Sequence, residues 1–165
     1  MSSDQVLIVN LFLSTVAFAL IAKWYVMPRL RSIPPKQALQ PLLLLHTFRH
    51  IGLMFLASGA LTHELPDPFA YPAAYGDLAA SILAFIALVA LRLSWPVAVP
   101  LVWIFNIEGT IDLLYAVAQG VLHHAAGGMG AAFWIPAILV PALLVTHCMV
   151  FALLLARETR AGSGS

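Results

Sequence analysis

The chain has 165 residues, of which 62% are hydrophobic and only 9% charged, with eight Lys/Arg against seven Asp/Glu and a net charge of +1. Soluble domains carry roughly 25% charged residues, so water cannot wet this surface on all sides, and a mean hydropathy of +0.95 agrees. A soluble enzyme, a disordered segment and a nucleic-acid-binding module are excluded. The single cysteine excludes a disulfide scaffold and a Cys-rich zinc site.

A membrane-crossing helix needs about 20 apolar residues. Five stretches approach or reach that length, at about 6–27, 41–62, 78–93, 95–119 and 132–156. The expected fold is all-α: one transmembrane domain over residues 1–161, built as a five-helix bundle. Gly162-Ser163-Gly164-Ser165 reads as an appended linker. Residues 1–5 carry no cation and the first apolar run outlasts a signal-peptide core, so that run reads as a retained helix. Trp24, Tyr25 and Trp95 fit an aromatic belt on one side, and Tyr71, Tyr75 and Trp134 a belt on the other.

Between the spans, cations mark alternate connections. Lys23, Arg29, Arg31 and Lys36 flank the first, Arg92 the third, and Arg157 and Arg160 the C-terminal end. The N-terminal stretch and the second and fourth connections carry Asp4, Glu64, Asp67 and Asp77 instead. By the positive-inside rule the N-terminus lies outside and the C-terminus in the cytoplasm. The chain is then a multi-pass protein of the plasma membrane, which in a bacterium is the inner membrane.

The spans themselves hold ionisable side chains. The second contains His46, Arg49 and His50; the fourth Glu108, Asp112 and Tyr115; the fifth His147 beside Cys148. Facing lipid, Arg49, Glu108 and Asp112 together would cost on the order of 8–10 kcal/mol. They are therefore expected to face one another or water. On an α-helix His46, Arg49 and His50 project from one side, and Glu108, Asp112, Tyr115 and Gln119 form a stripe. At about 1.5 Å per residue the three helices bring His50, Glu108 and His147 to overlapping depths. Helices two, four and five are expected to surround this site, with one and three as apolar cladding.

Three chemistries suit such a cluster. His46, His50, His147 and Glu108 form a sufficient ligand set for a transition metal ion. Alternatively, His50 or His46 against His147 makes an axial pair for haem b, with Arg49 near a propionate. An outside-in five-helix bundle with histidines on helices two and five resembles, in topology, the membrane haem b subunit of respiratory nitrate reductases. That family places two well-separated histidines on each of two helices, whereas His46 and His50 are one turn apart. These readings describe a metal-dependent membrane oxidoreductase acting on a hydrophobic small molecule or on electrons from a redox partner. Arg49 would clamp substrate, Glu108 act as a ligand or general base, and Asp112 line the access path.

The third chemistry uses no cofactor. Glu108 and Asp112 with the histidines form an acid/base set, suited to a lipid isomerase or to a proton-coupled small-solute transporter. Pro136 and Pro141 are expected to disturb the fifth helix. The expected partners are the bilayer and a hydrophobic molecule or redox protein. Assembly into a homo-oligomer fits the pattern, and nucleic acid does not. His63, Glu64, His123 and His124 in the outer connections read as solvated loop residues, and Gly127-Gly128-Met129-Gly130 as a flexible turn.

Overall fold

The structure, a computed structural model, describes residues 1–162, with side chains as far as Ala156. Residues 163–165 of the linker read from the sequence, and the side chains of Arg157 and Arg160, lie outside the described residues. Among the described residues there is no strand.

Helix α1 runs Ser3–Arg31, interrupted by a π turn at Ala22–Val26. It opens on a capping box: the Gln5 amide donates to Ser2 Oγ at 3.2 Å and the Ser2 amide to Gln5 Oε1 at 3.0 Å. Helix α2, Pro35–His46, starts with proline in its first turn, where a missing N–H costs nothing. It continues without a break as a 3-10 helix, Thr47–Leu56, and stops where Ala57 turns extended. Helices α3 (Asp67–Arg92) and α4 (Ala98–Leu122) follow. Two short 3-10 turns, Ala125–Gly128 and Gly130–Phe133, and a π turn, Ile135–Leu139, lead into α5, Val140–Gly162. That π turn contains Pro136 and ends two residues before Pro141, the disturbance expected of those prolines.

Among the described residues four helices are long and apolar enough to cross a membrane: Ser3–Arg31, Asp67–Arg92, Ala98–Leu122 and Gly130–Ala156. The stretch expected at 41–62 is instead the composite of α2 and its 3-10 extension. The third helix is a larger correction. It begins at Asp67 rather than near residue 78, because Pro66, Asp67 and Pro68 build a helix start and Pro72 and Gly76 are absorbed within it. Asp77 therefore sits ten residues inside a helix, not in a connection.

Hydrogen bonds define two ends. At one, the Thr62 amide donates to the Gly128 carbonyl at 3.1 Å, and Asp4 pairs with His124 at 2.8 Å. The stretch Gly127 to Gly130 is docked there rather than free: Gly130 has φ +48, and a Cβ on it would lie 2.8 Å from the Ala60 carbonyl. At the other end Arg92 Nη1 donates to Gln40 Oε1 at 3.1 Å. This end gathers Lys23, Arg29, Arg31, Lys36 and Arg92.

Helix α3 is the centre of the packing. Ala73, Ala80, Ala84, Ala87 and Ala90 form a buried small-residue spine at helical spacing, which lets α2 and α4 approach closely. Helix α1 is cladding, as expected, with Ile8, Phe12 and Leu13 exposed; α3 is not.

Candidate functional site

The buried polar side chains His46, Arg49, Asp77, Ser81, Asn106 and His147 come from α2 with its extension, α3, α4 and α5. Arg49, 1% exposed, is the hub. Its Nε donates to Asp77 Oδ1 at 2.8 Å and its Nη2 to Asp112 Oδ2 at 2.6 Å. Its Nη1 donates to the Gly109 carbonyl at 3.1 Å and faces His147 Nε2 at 3.4 Å. One guanidinium thus holds α2, α3, α4 and α5 together through charge-assisted bonds.

The proton positions on the two histidines follow from their neighbours. Arg49 can only donate, so His147 Nε2 is the accepting nitrogen. Nδ1 then carries the hydrogen and donates to Asn106 Oδ1 at 2.7 Å, while Asn106 Nδ2 donates to the His147 carbonyl at 3.3 Å. Thr146 donates its hydroxyl hydrogen to the backbone of Ala142 or Leu143, so it accepts from His46 Nε2 at 3.0 Å. His46 Nδ1 is left as a buried lone pair with no hydrogen-bond partner among the described residues. The His46 and His147 rings touch, with centroids 4.2 Å apart, and Phe105 packs against both.

Three glycines let the backbones approach these charges. A Cβ on Gly109 would lie 2.6 Å from Arg49 Nη1 and 2.8 Å from His147 Cε1. A Cβ on Gly52 would collide with the Asp77 carboxylate, and one on Gly76 with that of Asp112.

Of the residues expected from the sequence, His46, Arg49, Asp112 and His147 meet. Glu108 lies within electrostatic reach of Arg49 and Asp77, and its Oε2 is buried without a hydrogen-bond partner. His50 does not join them. It is exposed, its Nδ1 is 2.8 Å from the Thr47 carbonyl, and its ring packs on Phe48. The expectation that His46 and His50 share a face assumed an α-helix, in which i+4 lies about 40° around the axis. In the 3-10 form i+3 eclipses and i+4 is about 120° away. Arg49 therefore stays over His46 while His50 swings outward.

The ligand set His46, His50, His147 and Glu108 is accordingly not assembled, and no group of three His, Cys, Asp or Glu among the described residues is placed to hold a metal ion. The His50–His147 pair expected for haem b is not brought together: His50 is exposed, and His147 instead touches His46, ring centroids 4.2 Å apart and planes tilted by 46°.

Asp77, Asn106, Ser81 and Gly109 are site residues that the sequence reading did not assign. Ser81 Oγ donates to the Thr47 carbonyl at 2.6 Å, at the residue where α gives way to 3-10. The signal for Asp77 was present in Pro66-Asp67-Pro68, which reads as a helix start.

A cavity of about 470 Å³ adjoins the network. Leu11 and Phe12 of α1, Leu113 and Val117 of α4, and Phe55 and Phe69 line it, and Asp77 is the one ionisable residue in its wall.

Fold and site together define an all-helical protein with, among the described residues, four helices of membrane-crossing length and a buried charge network. The chain belongs to the family described as Domain of unknown function (DUF8737), whose model matches residues 6–155. No curated protein and no solved structure matches it.

Proposed function

We propose that the protein is a multi-pass plasma-membrane protein that binds a hydrophobic small molecule beside a buried acid/base network and exchanges a proton with it. The carrying observation is the double position of Asp77. Its Oδ1 is held by Arg49 while its side chain forms part of the wall of the apolar cavity. A ligand entering from the bilayer meets hydrocarbon-like walls and one carboxylate, the composition of a small-molecule pocket with a single orienting polar group.

The charge balance supports proton handling. Asp77 and Asp112 pair with one guanidinium, Glu108 lies within electrostatic reach of it, and His147 is hydrogen-bonded as a neutral imidazole. At low dielectric an uncompensated carboxylate is expensive, so the cluster approaches neutrality by taking up protons. Cofactor-free acid/base chemistry and proton coupling, two of the readings of the sequence, can draw on Asp77, Asp112 and His147 around Arg49.

Five crossings, with the N-terminus outside and the C-terminus cytoplasmic, go with this reading. The twelve residues of α2 and ten of its extension reach roughly 38 Å at about 1.5 and 2.0 Å per residue. That exceeds a hydrocarbon core of about 30 Å.

The test is photolabelling in lipid nanodiscs with a long-chain alcohol bearing a diazirine, followed by peptide mapping. Label is expected on Leu11, Leu113 and Val117, lost in Ala116→Trp, which fills the cavity, and reduced in Asp77→Asn. Labelling spread evenly over outward residues such as Ile104, Ile111 and Leu114, unchanged by Ala116→Trp, would overturn the assignment.

A further inference from the structure

The charged end of the bundle carries a second recess, remote from the Arg49 network. Between the start of α2 and the end of α3 lies a polar cup of about 370 Å³, walled by Lys36, Gln37, Gln40, Arg92 and Ser94. It continues into a trough of about 610 Å³ whose walls are Pro41, Leu44, Leu88, Val89 and Leu93, with Gln37, Gln40 and Arg92 common to both. Leu44 and Leu93 are more than half exposed, at 54% and 61%.

From this geometry we infer a binding site for an anionic phospholipid, its phosphate in the cup against Lys36 and Arg92 and one acyl chain along the trough. Three observations carry the assignment. First, the polar and apolar parts are continuous, which matches an amphiphile and not a free anion. Second, the two cations are exposed and so reachable by a headgroup. Arg92 Nη1 donates to Gln40, and the planar fork of a guanidinium suits a phosphate oxygen pair.

Third, the charge is complementary. Among the described side chains, Asp4, Glu64 and Asp67 belong to the opposite end and Asp77, Glu108 and Asp112 to the network in the middle of the helices. Basic recesses between helices at the cytoplasmic face attract anionic headgroups for this reason.

The site is tested by native mass spectrometry of the full chain exchanged from nanodiscs of phosphatidylglycerol or of phosphatidylcholine. One phosphatidylglycerol per chain is expected to survive, with no matching phosphatidylcholine adduct. Lys36→Gln combined with Arg92→Gln should lower retention about thirtyfold, at the usual contribution of two surface cations. Lys36→Gln alone, at an exposed position that leaves the Arg92–Gln40 bond intact, should lower it several-fold. Arg31→Gln, an exposed cation at the same end outside the recess, should leave it unchanged.

Leu93→Trp, which obstructs the trough, should also weaken retention. Equal retention of both lipids, or an effect of Arg31→Gln as large as that of the double variant, would overturn the site in favour of diffuse charge. Displacement of the lipid by millimolar inorganic phosphate would reduce it to a bare anion site and overturn the lipid assignment.

Discussion

The first half of α2, Pro35–His46, is α-helical and buries Ala38, Leu39, Leu42 and Leu43, whereas the second, Thr47–Leu56, is a 3-10 helix that buries Arg49, Gly52 and Phe55. The spacing in the second half is three throughout, and it continues the row from His46. A 3-10 helix places every third side chain in line, so one narrow edge delivers a ring, a guanidinium, a gap and a second ring to the same seam. The α-helical half spreads its buried residues over a wider face and packs by shape. One segment thus changes from a packing element to a charge-delivering element by changing its winding. The Ser81 hydroxyl on the Thr47 carbonyl holds the point of change.

Five substitutions, measured as unfolding free energies in mixed micelles, set the two halves against each other. Arg49→Met leaves Asp77 and Asp112 buried without their counter-charge and should destabilise by about 3–5 kcal/mol. Leu43→Ala, in the α-helical half, should cost about 2–5 kcal/mol through the cavity it opens. If Arg49→Met proves neutral, the network is not holding the helices together and the contrast collapses. Gly109→Val, which forces a side chain against Arg49 and His147, should cost about 1–3 kcal/mol. It should also abolish photolabelling differences between wild type and Asp77→Asn.

Smaller effects sharpen the comparison. Ser81→Ala removes one hydrogen bond at the change of winding and should cost about 1 kcal/mol. His50→Ala should stay within about 0.5 kcal/mol, as at other outward positions. A loss of 2 kcal/mol or more at His50 would mean that the second half winds as an α-helix and returns that imidazole to the site.

Much of the site was legible residue by residue. Arg49, Asp112 and His147 were recognisable because an ionisable group in an apolar run has to find a partner. The partner itself was not. Asp77 stands among Pro72, Gly76 and small residues that read as a connection, and only the packing of α3 against the 3-10 edge turns it toward Arg49. His50 was misplaced for the complementary reason: its spacing from His46 is informative only once the helix type is known. Asn106 lies off the stripe of α4, yet it orients His147, because α5 rather than lipid covers that side.

The sequence alone determined the all-helical architecture, the gathering of cations at one end and the burial of a charged cluster. Those follow from hydrophobicity and charge, which act whatever the neighbours are. The tertiary structure decided which carboxylates meet the guanidinium, which imidazole is turned out, and where a cavity remains. These depend on winding and on close approach at Gly52, Gly76 and Gly109, set by one helix pressing against another.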